Sequence, residues 1–234
     1  MTAIELAIQV RGLSKEFGNR GVLRQIDLDI AVGESLALTG VNGAGKTTLL
    51  RCLAGLVRPN AGEVRCWGQP VQGNPAVRRW IGMVAHEQRL YPHLTLRENL
   101  IFAARMCRVA EPGRQADESL LRVGLSAYAS YLPTQASKGM RQRIAVARAL
   151  IHAPRILLLD EPFAGLDKQG SRWLLELLLE LRAAGRTICF STHDEAQTHS
   201  LAERVLEIQG GRLLERTPAD DAPPIAGRIG PRAA

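Results

Sequence analysis

The sequence predicts an α/β domain built on a largely parallel sheet, and three observations carry that prediction. Short β-branched runs such as "AIQV", "SLALTG" and "TICFST" alternate with longer segments of helical period. A glycine-rich turn, "GVNGAGKT", joins the apolar run "SLALT" to the helix-like "TTLLRCLAGL". Further on, "RILLLDEP" sets an unbroken apolar run before Asp160 and Glu161, the pattern of a strand buried on both faces. With 234 residues, 46% of them hydrophobic, the chain is long enough for one large domain with room for an inserted subdomain.

Taken in order, the N-terminal "MTAIELAIQVRGL" carries Glu5 early and lacks a basic start followed by an apolar block, so it does not read as a signal peptide. Between about 87 and 151 the period becomes helical, in "LTLRENLIFAARMCRV" and "GRQADESLLRVGL", with no convincing strand between them; this is expected to be a helical insertion. The richest apolar segment, "WLLELLLELRAAG", is interrupted by Glu176, Glu180 and Arg182 and falls short of a bilayer span. From Thr217 the chain is rich in Pro, Ala and Gly without apolar periodicity, which reads as a mobile tail over 217–234.

Cys52, Cys66, Cys107 and Cys189 form no C-x-x-C pair and are expected to be reduced packing residues. The net charge of +7 raises the question of nucleic acid. Apart from Lys15, Lys46, Lys138 and Lys168 the basic residues are all arginine and are spread along the chain, which suits a solvated surface better than a nucleic-acid patch.

Gly40, Gly45, Lys46 and Thr47 match G-x-x-x-x-G-K-(S/T) in the strand-to-helix setting this pattern requires. Glycines let backbone N–H groups curl around phosphate oxygens at a helix N-terminus, so Asn42, Gly43, Ala44, Gly45 and Thr48 are candidate nucleotide contacts. Lys46 would reach the β- and γ-phosphates, and Thr47 would offer its hydroxyl to Mg²⁺. Asp160 would hold the same ion through its water shell, while Glu161 would polarise the water that attacks the γ-phosphate. A nucleoside triphosphate and Mg²⁺ are therefore the expected ligands.

The segment "ASKGMRQRIAVARALIHAPRILLLDEP" separates this chain from other phosphate-loop proteins. It puts Ser137 and Gly139 at the start of a helix whose Met140, Ile144, Ala147 and Ile151 share one apolar face, and the aspartate strand follows at once. This arrangement resembles the ATP-binding subunits of ABC transporters, whose LSGGQ signature stands here as Ala136, Ser137, Lys138, Gly139 and Met140. Ala136 in place of leucine is a departure.

The resemblance covers residues 1 to about 216. It implies a phosphate-loop core over about 1–86 and 152–216, an N-terminal antiparallel β region and a helical subdomain over about 87–151. It also implies that Phe17 stacks on adenine, where a lone Phe would otherwise be read as core, that Asp167 in "FAGLD" reaches across a dimer, and that His193 in "STHDEA" contacts the γ-phosphate. Two subunits, identical or paralogous, would sandwich ATP between the phosphate loop of one and Ser137 and Gly139 of the other. They would drive separate transmembrane permease subunits from the cytoplasmic face of the cell membrane, with membrane contact only through the permease.

Within "HEQRLYPHLTLRENL", relatives usually place a glutamine where this chain has His86, and Gln88 stands two residues on. Either His86 acts beside the metal or phosphate, or Gln88 takes the task as a possible Mg²⁺ ligand after a small loop shift. This segment and "EPFAGLD" make the chain most like the ATPase of the bacterial haem exporter of cytochrome c maturation. Export of drugs, lipids or polysaccharide is the alternative within the class. A soluble ABC ATPase acting on DNA or ribosomes is the alternative outside it, although the tandem domains or long coiled-coil insertion usual there are missing from this sequence.

Overall fold

A computed structural model describes residues 5–216. The chain opens with a long hairpin, β1 (Leu6–Phe17) and β2 (Arg20–Ala31), then β3 (Ser35–Thr39) and α1 (Lys46–Leu53). Next come β4 (Ala61–Cys66), the short β5 (Gln69–Pro70), α2 (Pro75–Arg78) and β6 (Ile81–Val84). The helices α3 (Leu96–Met106), α4 (Pro112–Arg122) and α5 (Lys138–Leu150) lead into β7 (Ile156–Asp160). Finally α6 (Lys168–Ala183), β8 (Thr187–Ser191), α7 (Glu195–Leu201), β9 (Arg204–Gln209) and β10 (Arg212–Arg216) complete the described chain.

One sheet is antiparallel in the order β2-β1-β4-β5; the other runs β10-β9-β3-β8-β7-β6, parallel except for the β9–β10 hairpin. The parallel strands explain their composition. All five residues of β7 and all five of β8 are buried, because helices cover both faces of a parallel sheet. In-register pairing puts Asp160 beside Ser191 and Leu38 beside Ser191, so the phosphate loop, Asp160 and Ser191 emerge together at the carboxyl edge of the sheet.

The helical insertion forms as expected, with α3 started by a capping box between Thr95 and Glu98. Its Leu96, Leu100, Ala116, Leu120 and Ile144 form a cluster of their own. The boundary is not a clean cut at 151, however. α5 turns Ile144 and Ala147 toward that cluster and Ala145, Val146 and Ala149 toward β7 and α6. One helix thus belongs to both cores.

Cys52, Cys66 and Cys189 are buried and Cys107 is half-buried. Burial pushes the Cys52 thiol up to about 11 and the Cys66 thiol up to about 12, and raises Cys189 as well, which keeps them protonated and inert. Among the described residues no helix is long and apolar enough to cross a membrane. The expected tail over 217–234 lies outside the described residues.

Candidate functional site

The phosphate loop is shaped by two glycines that no other residue could replace without distortion. Gly40 has φ 126°, and a Cβ there would stand 2.6 Å from the Ile208 carbonyl oxygen; Gly45 has φ 117°, and a Cβ would stand 2.9 Å from Leu23. The loop is therefore pressed between β9 and the β1–β2 hairpin, and Gly45 starts α1. Lys46, only 6% exposed, donates to the Gly40 carbonyl at 2.6 Å and the Val41 carbonyl at 3.3 Å, which holds its ammonium inside the curl.

Thr47 Oγ1 donates to Asp160 Oδ2 at 2.8 Å, joining residues far apart in sequence. The other Asp160 oxygen accepts from Ser191 Oγ at 2.8 Å, and Ser191 in turn accepts the Glu161 N–H at 2.9 Å. A hydroxyl beside a carboxylate is an all-oxygen donor set, which suits Mg²⁺. Among the described residues no group of three or more His, Cys, Asp or Glu could cage a metal. The ion would therefore share its ligands with triphosphate oxygens and water.

An open cavity of about 360 Å³ is lined by Phe17, Arg20, Asn42, Gly45, Thr47 and Glu161, among others. Phe17 ends β1 opposite Arg20 and is 53% exposed, a ring at the mouth of the cavity with the Lys15 ammonium 5.0 Å from its centroid, and not a core residue. A second cavity of about 300 Å³ is bordered by Glu161, Gly165, Leu166, His193 and Asp194. Glu161 lines both.

Two imidazoles bracket that carboxylate: His86 Nδ1 lies 3.4 Å from Glu161 Oε2, and His193 Nδ1 lies 3.9 Å from Oε1. Gln88 is placed differently. Its amide nitrogen donates to Gln142 Oε1 at 2.5 Å, toward α5. Of the two residues, then, His86 is the one brought to Glu161.

Ser137 caps α5 by accepting the Met140 N–H at 3.1 Å. Neither Ser137 nor Gly139 borders either cavity. Asp167, expected to reach outward, uses Oδ1 to accept the Gly170 N–H at 2.6 Å and so caps α6. Lys138 lies across Gly165, whose added Cβ would collide with its side chain.

Three further residues border or brace the site. Ser191 closes the apolar run "TICF", and a hydroxyl at the end of a buried run is a signal that it has a buried partner. Arg20 carries no signal, being one arginine among many. Gln142 is 2% exposed, and its place between the apolar faces of α5 is the signal that it is buried with a partner.

A model of the ABC transporter family matches residues 23–164. The chain belongs to that family. It is 39% identical over 209 residues to a spermidine/putrescine import ATP-binding protein, PotA, of Nitratidesulfovibrio vulgaris, covering 88% of this chain and 57% of that protein. It thus spans less than two thirds of that longer relative. It is 43% identical over 214 residues to the aliphatic sulfonates import ATP-binding protein SsuB 1 of Xanthomonas axonopodis, covering 90% of this chain and 83% of that one. Among solved structures it matches the dimeric ATP-binding cassette MJ0796 in a post-hydrolysis state with ADP and Pi. That match has a TM-score of 0.82 at 30% identity and covers 88% of this chain and 96% of that chain. The domain is therefore an ABC ATPase, with the phosphate-loop fold expected from its motifs.

Proposed function

We propose that this chain is the ATP-hydrolysing subunit of an ABC transporter, working from the cytoplasmic face of the cell membrane beside separate permease subunits. The observation that supports this best is the Thr47–Asp160–Ser191–Glu161 network, which sets a general-base candidate one residue after a magnesium-ligand candidate. The loop amides and the α1 N-terminus receive the triphosphate, and Lys46 exchanges its loop carbonyls for β- and γ-phosphate oxygens. Phe17 offers its exposed face to adenine. Thr47 and Asp160 would hold Mg²⁺, which would supply positive charge against the charge of the triphosphate.

Glu161 accepts a proton from the attacking water as the new oxygen–phosphorus bond forms and the bond to ADP breaks. His193 bridges this carboxylate and the γ-phosphate, and His86 steadies its other oxygen. Ser137 and Gly139, which border neither cavity of their own chain, are offered to the nucleotide of a second subunit, as the dimeric neighbour supports. Asp167 joins that interface with the carboxylate oxygen not used in its cap. The division into a core over 1–86 and 152–216 and a helical region over 87–151 gives the permease its docking element.

Replacing Glu161 by Gln keeps shape and removes the acceptor, so ATP binding should persist while turnover falls by about 10²-fold or more, and an ATP-bound dimer should accumulate in gel filtration. Retention of more than roughly a tenth of wild-type hydrolysis would remove Glu161 from this role.

The finer assignment, export of haem for cytochrome c maturation, rests on "HEQRLYPHLTLRENL" and "EPFAGLD" alone. The two relatives above, importers by name, do not support it. One of those relatives is named for polyamine cations and the other for sulfonate anions, at similar identity to this chain. Cargo charge is thus not read by this type of domain, and the permease supplies the choice. Reconstitution with its permease, scored for cargo-stimulated hydrolysis, distinguishes import from export.

A further inference from the structure

Glu161 has φ 48°, a left-handed conformation that a non-glycine residue keeps only where its surroundings hold it from more than one side. Its own N–H is held by Ser191 Oγ. On the other side the carbonyl of the next residue, Pro162, accepts from Gln142 Nε2 at 2.7 Å. A carbonyl only accepts, so Gln142 must turn its amide nitrogen to Pro162 and its oxygen to Gln88, whose amide nitrogen donates to it. Gln88 stands two residues after His86, and His86 returns to the Glu161 carboxylate at 3.4 Å. The circuit closes through Glu161, Pro162, Gln142, Gln88 and His86.

We infer that Gln142 is a positioning residue for Glu161, and that Gln88 extends its hold to the loop carrying His86. Gln142 sits in the second turn of α5, the helix shared by both hydrophobic clusters and begun by Ser137. A rotation of α5 is therefore delivered to the base as a change in its position, while the phosphate loop, held by β9 and the β1–β2 hairpin, keeps its grip on the nucleotide. The device would act on turnover and leave affinity alone. It rests on the reading of Glu161 as the base.

The test uses the full chain and measures kcat for ATP alongside Kd for the fluorescent analogue MANT-ATP. Gln142→Leu should lower kcat roughly 10- to 100-fold, the scale of a small misplacement of a reacting group, with Kd changed by no more than about twofold. Gln88→Glu is isosteric but faces the Gln142 oxygen with another oxygen, so it should be impaired; Gln88→Lys keeps a donor and should retain more activity. Packing volume alone predicts the opposite order. The inference is overturned by a kcat within about twofold of wild type in Gln142→Leu, by Kd weakening in step with kcat, or by Gln88→Lys performing worse than Gln88→Glu. Should Gln142→Leu fail to fold, the half-buried Gln88 pair still decides. Glu161→Gln is run in parallel: its continued activity overturns the reading of Glu161, whereas an active Gln142→Leu beside an inactive Glu161→Gln overturns only the positioning role.

Discussion

The carboxyl edge of the parallel sheet and the helical region are held in different ways. Asp160 and Ser191 end buried strands and are locked by ladder pairing as well as by their own hydrogen bond. The helical region has its own apolar cluster, shares α5 with the core, and elsewhere meets it through side chains. Arg143 lies over the Trp173 ring at 4.5 Å, Arg122 pairs with Glu180 at 2.9 Å, and Gln142 reaches Pro162. Backbone ladders do not slide without losing many bonds at once, whereas a few side-chain contacts exchange at small cost. The rigid part carries the residues proposed to hold phosphate and metal; the adjustable part carries Ser137 and the loop with His86.

That contrast makes ordered predictions. Leu158→Ala, in the middle of fully buried β7, should cost about 2–5 kcal/mol by urea denaturation, because the close-packed sheet cannot collapse around the cavity. A cost below about 1 kcal/mol would show that the sheet is as adaptable as the helices.

Ser191→Ala leaves one Asp160 oxygen and the Glu161 N–H without their shared partner, so it should cost about 1–3 kcal/mol and also lower hydrolysis. Stability loss with normal turnover would separate Ser191 from the site. Arg143→Ala removes the stacked guanidinium and its bond to the Val123 carbonyl, at an expected cost of about 1 kcal/mol. Hydrogen exchange should quicken in α4 and α5 before β7 responds; uniform quickening would mean the two regions open together.

The smallest effect is a pH dependence at the seam. His152, just beyond α5, shares a hydrogen bond with the Ile81 carbonyl, and burial lowers its pKa. The folded protein therefore resists the proton that the unfolded chain takes up as pH falls below about 6.5. Stability contributed by neutral His152 is complete above that value and is lost as pH falls through the lower folded value. The depressed carboxyls Glu98 and Asp117 act in a more acidic window. Thermal melts of His152→Gln should show a flatter decline than wild type between roughly pH 6.5 and 5; matching slopes would discard the assignment.

Much of the site was readable because its chemistry is local. Gly40 through Thr47 is one contiguous turn whose φ values demand glycine, and "RILLLDEP" announces a buried strand ending in acids by composition alone. The helical insertion was equally plain from its period. Phe17 was readable only through the family, since a single aromatic reports nothing about which way it faces; the hairpin turn at Gly18 and Asn19 puts it at the cavity. Gln88 and His86 were not separable along the chain, because both are polar residues in one loop and either could face the metal.

The sequence by itself therefore determined the phosphate loop, the acid-ended strand and the alternation that makes a parallel sheet, since each follows from backbone conformation or burial within a short window. Tertiary structure decided the rest. Sheet order brought Ser191 to Asp160, and packing of α5 between two clusters turned Gln142 toward Pro162. With Gln88 drawn to Gln142, His86 was left beside Glu161. Hydrogen bonds between residues 20 to 113 positions apart carry no periodic trace in the chain, because direction and distance across a fold are set by how its elements stack.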